Sequence, residues 1–461
     1  MMRRCTLEEV ARFSGGRLVK GDPALAVDRL HTDTRTLTAG DCFVALQGDR
    51  FDGHAFVREV KSLGAVAALV SQQGLPDVPE DLGLVEVPDT LEGLQRFAAT
   101  YRGLLSVRTI GVTGSSGKTS TKELIAAVLR TRFRTKATEG NLNNHIGVPL
   151  TLLRLEEDDE FGVVEMGMNH PGEIAPLARM TAPEIGVISS IGPAHIEYFE
   201  SESAIAEEKA ELIAALPASG VAILNSNDEW SRQIAHRTSA RVVWVGSGVD
   251  SSWRAEKIRV GREGIAFEIR HGGQRVEVQL PVLNRVMVSN ALLAAAVGGE
   301  CGLSLEEIAR GIAAVELPGA RMQVREIGGA WIINDAYNAN PASMKAALTA
   351  LGEFPNVKRR LAVLGSMGEL GRHAAELHRE IGAFTGEQGV KFLIAVGPDA
   401  EAYAAGARSA GLENVVMAAD ADEARLALLG EMLEGDAVLV KGSHFMHLER
   451  LVAALAGEEP G

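Results

Sequence analysis

The apolar positions of this chain fall mostly in short unbroken runs, with helical stretches between them. That pattern predicts parallel strands buried on both faces and covered by helices. From Arg108 the rhythm is regular: a strand over 108–112, a helix, then strands Gly162-Val-Val-Glu165, Ile185-Gly-Val-Ile-Ser189, Val221-Ala-Ile-Leu224 and Val242-Val-Trp-Val245. Residues 255–280 alternate better (Ile265, Phe267, Ile269; Val276, Val278, Leu280) and predict a small antiparallel hairpin appended to that domain. The Ala-rich segment near Asn290–Cys301 reads as a buried helix. Residues 1–103 hold short apolar strands, Cys42–Leu46 and Ala65–Val70, between Gly, Asp and Pro turns, a small α/β module. Past Leu317-Pro-Gly-Ala, a plausible hinge, strands Trp331–Asn334, Leu361–Leu364, Phe392–Val396 and Ala437–Val440 predict a second, Rossmann-like sheet with ligands at its strand carboxyl ends. The expected fold is α/β in three domains: 1–103, a central parallel sheet over 104–317, and 318–461.

Residues 110–120, Ile-Gly-Val-Thr-Gly-Ser-Ser-Gly-Lys-Thr-Ser, join the end of an apolar strand to a helix through a glycine-rich turn. Thr113, Gly114, Ser115, Ser116 and Gly117 then form a loop whose N–H groups cradle phosphate, with the positive end of the helix behind it. Lys118 adds a point charge and Thr119 a hydroxyl for magnesium. The strict motif wants glycine at 112; Val112 is there, with Gly111 one place earlier. The site is one for ATP or GTP.

The length allows about three domains, and 46% hydrophobic residues give ample material for several cores. A formal charge of −15 argues against nucleic acid or an anionic membrane as the main partner. One basic run, Lys118, Lys122, Arg130, Arg132, Arg134 and Lys136, is either a solvated helix face with its exit or an offset for a polyanionic substrate. Cys5, Cys42 and Cys301 lie far apart, which suits a reducing compartment. No run approaches the ~20 apolar residues of a membrane helix, and the N-terminus has no signal-peptide character. A cytoplasmic location and a monomer are expected.

Several polar residues sit where strands end. Glu165 closes an apolar strand and should emerge near the phosphates. His195 follows another strand through Ser-Ser-Ile-Gly-Pro, as a structural residue or a contact to metal or phosphate. Lys209, in Glu-Glu-Lys-Ala-Glu, reads by itself as a surface charge. Asn141, Asn143 and Asn144 make a polar loop that either only turns or binds substrate. Asp335-Ala-Tyr-Asn-Ala-Asn-Pro341 follows a strand in the last domain, where a nucleotide could be read. Arg321, just past the hinge, could swing onto a phosphate, a role suited to its planar fork.

Together these segments resemble the Mur ligase family, ATP-dependent amide-bond ligases that build the peptide of cell-wall precursors, over essentially the whole chain. The resemblance rests on Thr32-Asp-Thr-Arg35 with Gly40–Gly48 and Asp52-Gly-His54; on Thr113–Thr119; on Asn141–Pro149 followed by Glu165-Met-Gly-Met-Asn169; and on Asp335–Pro341 with Val440-Lys-Gly-Ser443. Where tripeptide-forming members carry Asp-Tyr-Ala-His-x-Pro, this chain has Asp-Ala-Tyr-Asn-Ala-Asn-Pro, and it lacks their Asp-Asn-Pro-Arg motif. The resemblance therefore implies a UDP-N-acetylmuramoyl-tripeptide and D-Ala-D-Ala as substrates, with an acyl-phosphate intermediate. It implies that the N-terminal module binds UDP, with Thr34 and Arg35 taking part. It makes ATP and Mg²⁺ the cofactors: Thr119 and Glu165 hold one magnesium, and His195 and Lys209 a second, the lysine being carbamylated by CO2. Arg321 would contact the γ-phosphate, Asp335 the ribose and Asn290 the adenine, with Asn338 alongside. Val286-Met287 replace a His-Asn pair common before Asn290, leaving base recognition to Asn290 and backbone. Gly365-Ser366-Met367 stands where Gly-Asp-Met is usual, which removes an acid there. Alternatives are another amino-acid-adding Mur enzyme, a folylpolyglutamate-type ligase, or a P-loop switch or transport ATPase.

Overall fold

The computed structural model describes residues 2–48, 51–71, 78–262 and 264–458. Three sheets follow one another along the chain, with a two-stranded pair, Cys5–Thr6 with Ala26–Val27, beside the first. The first sheet orders its strands Arg17–Lys20, Gly83–Val87, Ala67–Ser71, Asp41–Val44 and Arg29–His31, parallel except for the pairing of Arg17–Lys20 with Gly83–Val87. Helices Leu7–Ser14 and Thr90–Leu104 cover it. Each starts on a sequence signal: Thr6 and Glu9 form a reciprocal capping box, and Asp89 accepts from the Glu92 N–H.

The second sheet has nine strands in the order Gln274–Leu280, Gly264–His271, Trp253–Gly261, Arg241–Val245, Val221–Asn225, Ile185–Ile188, Arg108–Thr113, Phe161–Glu165, Thr135–Ala137. From Thr135–Ala137 across to Trp253–Gly261 every neighbouring pair is parallel. The expected hairpin, Gly264–His271 with Gln274–Leu280, is present, and a third antiparallel strand, Trp253–Gly261, joins it to the main sheet as a continuation of that sheet. Helix Val286–Glu300 is apolar nearly all round because it lies inside, against Lys118–Leu129 and the hairpin strands. Each of its large side chains, such as Leu292, Leu293 and Val297, contributes about 2 kcal/mol by leaving water.

The third sheet orders Gln323–Ile327, Ala330–Asn334, Ala437–Lys441, Arg360–Gly365, Phe392–Val396 and Val415–Ala418, parallel except for the first pair. Two strands lie outside the sequence reading: Gln323–Ile327, whose apolar pattern Arg325 and Glu326 interrupt, and Val415–Ala418, a four-residue apolar run at the sheet edge that is only half buried. No helix among the described residues is long and apolar enough to cross a membrane.

Candidate active site

Three adjacent strands of the second sheet, Ile185–Ile188, Arg108–Thr113 and Phe161–Glu165, end on one cavity of about 430 Å³. Residues following Ala330–Asn334 and the last residue of Ala437–Lys441, neighbouring strands of the third sheet, line the same cavity from the other side. Two unrelated sheets thus deliver chemistry to one place, more than 200 residues apart in sequence at the extremes, as Ser115 and Lys441 are.

The turn into helix Lys118–Leu129 requires its glycines. Gly114 has φ 153°, and a Cβ there would stand 2.0 Å from Ser189 Oγ. Gly117 has φ 79°, and its Cβ would come 2.9 Å from Asn290 Nδ2. The loop is a partial cradle, because the Ser115 N–H donates to Ser190 O at 2.7 Å and the Ser116 N–H to Ser190 Oγ at 3.2 Å. Gly117 supplies no side-chain cap, so the donors left for an anion are at the helix start. Thr113 turns its hydroxyl to Met166 O at 2.8 Å, which makes it a brace behind the loop. Lys118 Nζ donates to Gly114 O at 2.9 Å, and burial lowers its pKa against the opposing pull of Glu165.

Glu165 is 1% exposed. Thr119 Oγ1 donates to its Oε1 at 3.2 Å and Asn143 Nδ2 to the same oxygen at 2.8 Å. Oε2 is buried with no hydrogen-bond partner among the described residues. A buried carboxylate oxygen without a donor is unfavourable unless a cation completes it. Asn141, Asn143 and Asn144 all line the cavity, and Asn144 also accepts from the Ile146 and Gly147 N–H groups and so shapes the turn.

His195 lies in the loop after Ile185–Ile188 with φ 59°. Its Nδ1 meets the Glu369 carboxylate as an ion pair, without the alignment of a hydrogen bond. The imidazole, with Lys118 and His170 adding smaller pulls, holds the Glu369 carboxyl below the usual range. Lys209 is not the surface charge its local sequence suggests. It sits on the inner face of helix Glu202–Ala214, 1% exposed, with no hydrogen bond or ion pair to any described residue. Burial, with Lys118 nearby, drives its pKa well below the ordinary lysine value.

Across the cavity, Arg321 stacks on Tyr337, its guanidinium 3.7 Å from the ring centroid, and donates to Pro318 O at 2.5 Å. Asp335 accepts from the Met322 N–H at 3.1 Å and from Lys441 Nζ at 2.7 Å; Lys441 also reaches Asn338 O at 2.8 Å. Asn338 spends its side-chain oxygen on the Ala339 N–H at 2.9 Å. Asn290, 3% exposed, borders the cavity beside Gly117, with Met287 Sδ 3.4 Å from its Nδ2.

Thr34 and Arg35 are elsewhere, on a short turn of the first domain that does not line this cavity. Arg35 is bound to Asp33, whose carboxyl it holds at about 2. The basic run resolves into separate local pairings. Lys122 is buried on Thr138 O, Arg130 bonds Thr135 O, and Arg132, Arg134 and Lys136 pair with Glu307, Asp158 and Glu156. Only Lys118 of that set reaches the cavity. Glu369 and the role of Lys441 went unread in the sequence; Lys441 carried a signal, since it ends an apolar strand before glycine, but Glu369 carried none.

Among the described residues, no cluster of three or more His, Cys, Asp or Glu side chains stands ready for a metal ion. The Mur ligase middle domain model matches residues 112–298, the Mur ligase glutamate ligase domain 320–444, and the Mur ligase family catalytic domain 27–102. The UDP-N-acetylmuramoyl-tripeptide–D-alanyl-D-alanine ligases of Bacillus subtilis and Escherichia coli are each 36% identical to the chain, covering 99% and 98% of it and the same shares of themselves. A crystal structure of MurF from Acinetobacter baumannii superposes with a TM-score of 0.91 at 30% identity, covering 99% of this chain and all of that one. The MurF ligase from Thermotoga maritima in complex with ADP gives 0.83 at 27% identity, over 94% of this chain and 98% of its own.

Proposed function

The chain belongs to the Mur ligase family, and on that premise we propose that it joins D-alanyl-D-alanine to a UDP-N-acetylmuramoyl-tripeptide at the expense of ATP. The observation that carries this reading is the shared cavity, in which a phosphate loop on one sheet faces Arg321, Asp335 and Lys441 on another. An ATPase that only switches or transports needs the first half; a ligase needs a second domain that closes on the nucleotide and keeps water from the acyl phosphate.

Joining a carboxylate to an amine near neutral pH requires activating a poor electrophile. The γ-phosphoryl group passes to the tripeptide carboxylate, and the dipeptide amine attacks the resulting acyl phosphate, which expels phosphate through a tetrahedral intermediate. Lys118 and Arg321 bring positive charge to a step that crowds several anionic oxygens. Asp335, braced by Lys441, orients the ribose, and Asn290 borders the base. Thr34 and Arg35 serve the UDP end, far from the chemistry, as suits a long substrate. The acyl phosphate hydrolyses if water reaches it, so closure of the domains, divided near residues 103 and 317, precedes transfer.

Mg²⁺ fits the donor set: Glu165 Oε2 has no hydrogen-bond partner among the described residues and Thr119 stands beside it, and magnesium keeps phosphate oxygens and water as its other ligands. When bound, it neutralises the transferring phosphate. Lys209 fits carbamylation by CO2, an N–C bond formed by the neutral amine with loss of one proton. Its buried, unpaired, pKa-depressed amine is the nucleophilic form, and the product is an anion able to join His195 in holding a second cation.

The test is phosphate release with each substrate alone and with both, followed by mass spectrometry of the product. A ligase releases phosphate only with both and gains one amide-linked dipeptide. ADP accumulating without a new peptide bond would exclude this function.

A further inference from the structure

Glu369 follows strand Arg360–Gly365 of the third sheet, yet its carboxylate lies on His195, a residue of the second. Both residues hold left-handed backbone, each with φ 59°. Side chains with a Cβ avoid that region, and where they adopt it the surroundings enforce it. The loops are also closely seated: a Cβ on Gly371, which has φ 51°, would stand 3.1 Å from Glu197 Cγ. The fold therefore holds this contact at a backbone cost on both sides. The His195 ring lines the cavity while its Nδ1 is buried against Glu369, which leaves Nε2 as the nitrogen available to a ligand.

We propose that Glu369 is a positioning residue, which fixes the His195 imidazole from behind so that Nε2 is offered to a divalent cation only when the third domain has closed on the second. The proposal rests on the reading of His195 as a cation contact made above. A carboxylate behind a metal-binding imidazole sets the tautomer and ring orientation and strengthens the donor. Here the carboxylate belongs to the other domain. Cation affinity and closure are then linked, each favouring the other by the same factor. The tripeptide carboxylate and ATP would meet a complete site only in the closed form, which separates ligation from idle hydrolysis.

The experiment uses Mn²⁺ as probe on the full chain, with a non-hydrolysable ATP analogue and UDP-N-acetylmuramoyl-tripeptide present, and reads free Mn²⁺ by electron paramagnetic resonance. His195→Asn first identifies which binding step depends on the imidazole. Glu369→Gln keeps the shape and removes the charge, and its fold is checked by circular dichroism. The expected result is a weakening of that step by about 10- to 100-fold, with Glu369→Asp recovering part of it. In turnover, kcat falls while the KM for ATP is unchanged. Weakening of less than about tenfold, or a loss expressed only as a raised KM for ATP, overturns the proposal. If wild-type protein makes no amide product, the ligase reading fails instead; the Mn²⁺ comparison is read independently of that outcome.

Discussion

Replacing Lys441 by methionine removes one half of a buried ion pair and leaves the other in place. Lys441 is 2% exposed and Asp335 9%. The ammonium donates to Asp335 Oδ2 at 2.7 Å and to Asn338 O at 2.8 Å. Methionine keeps most of the stem volume, so packing changes little. What remains is a carboxylate with a single donor among the described residues, the Met322 N–H at 3.1 Å. Breaking a buried pair from one side costs about 3–5 kcal/mol, and the surviving N–H places this case near 3. Because a three-domain chain does not unfold in one step, the quantity to read is local opening by hydrogen exchange. Strands Ala330–Asn334 and Ala437–Lys441, which pair through Trp331–Asn334 and Ala437–Val440, should exchange about 100-fold faster in Lys441→Met. Adding Asp335→Asn to that variant turns the stranded carboxylate into a neutral amide and should restore at least half of the lost protection. Protection within about 1 kcal/mol of wild type in the single variant, or no recovery in the double, would refute the argument.

Other outcomes follow from the same geometry. Lys118→Ala and Glu165→Ala should each lose at least about 100-fold in turnover, on the scale of a single electrostatic donor; near-normal turnover in either removes its assigned role. Lys209→Ala should be inactive and partly rescued by short carboxylic acids, and wild-type activity should fall when CO2 is removed; absence of both effects would count against the carbamate. In CO2-free buffer, Lys209→Met should be more stable than wild type. The unfolded chain binds a proton at this amine up to the ordinary lysine value of 10.5 and the folded chain releases it earlier, so the wild-type deficit should narrow as pH rises towards that value, as measured by denaturant titration across pH. A gap independent of pH would contradict the buried neutral amine. Gly114→Ala should fail to bind ATP in a filter assay, since its Cβ would overlap Ser189 Oγ.

Much of this architecture was legible because doubly buried parallel strands write themselves as unbroken apolar runs, and the phosphate loop as glycines before Lys-Thr. The strands that escaped notice are edges: Gln323–Ile327 is broken by charge, and Val415–Ala418, though an apolar run, is only four residues long and partly exposed. Lys209 misled because neighbouring glutamates dominate its local composition. The helical period held the clue, since Ile205, Lys209 and Leu212 share one face and all are buried. Lys118 and Arg321 were visible from position alone, at a helix start and past a hinge; Lys209 entered only through the family resemblance, and Lys441 stood at a strand end with its role unread. Glu369 could not be found from pattern at all, because its importance comes from where a second domain places it. Of the basic run only Lys118 reaches the cavity, because the other charges have partners close in space, Glu307 for Arg132 being 175 residues away.

The two large sheets guard their flanks unequally. The nine-stranded sheet ends on one side in a strand of three residues, Thr135–Ala137, and on the other in Gln274–Leu280, studded with Arg275 and Glu277. Short or charged borders discourage recruitment of foreign chains. The six-stranded sheet ends in Val415–Ala418, where Val416 and Met417 are 38% and 48% exposed, and the helix packed on that strand, Ala421–Glu431, also exposes Leu426 and Leu429. When this protein is concentrated or heated, self-association through strand addition should nucleate on that border, and a lysine in place of Met417 is the substitution that would keep it in solution.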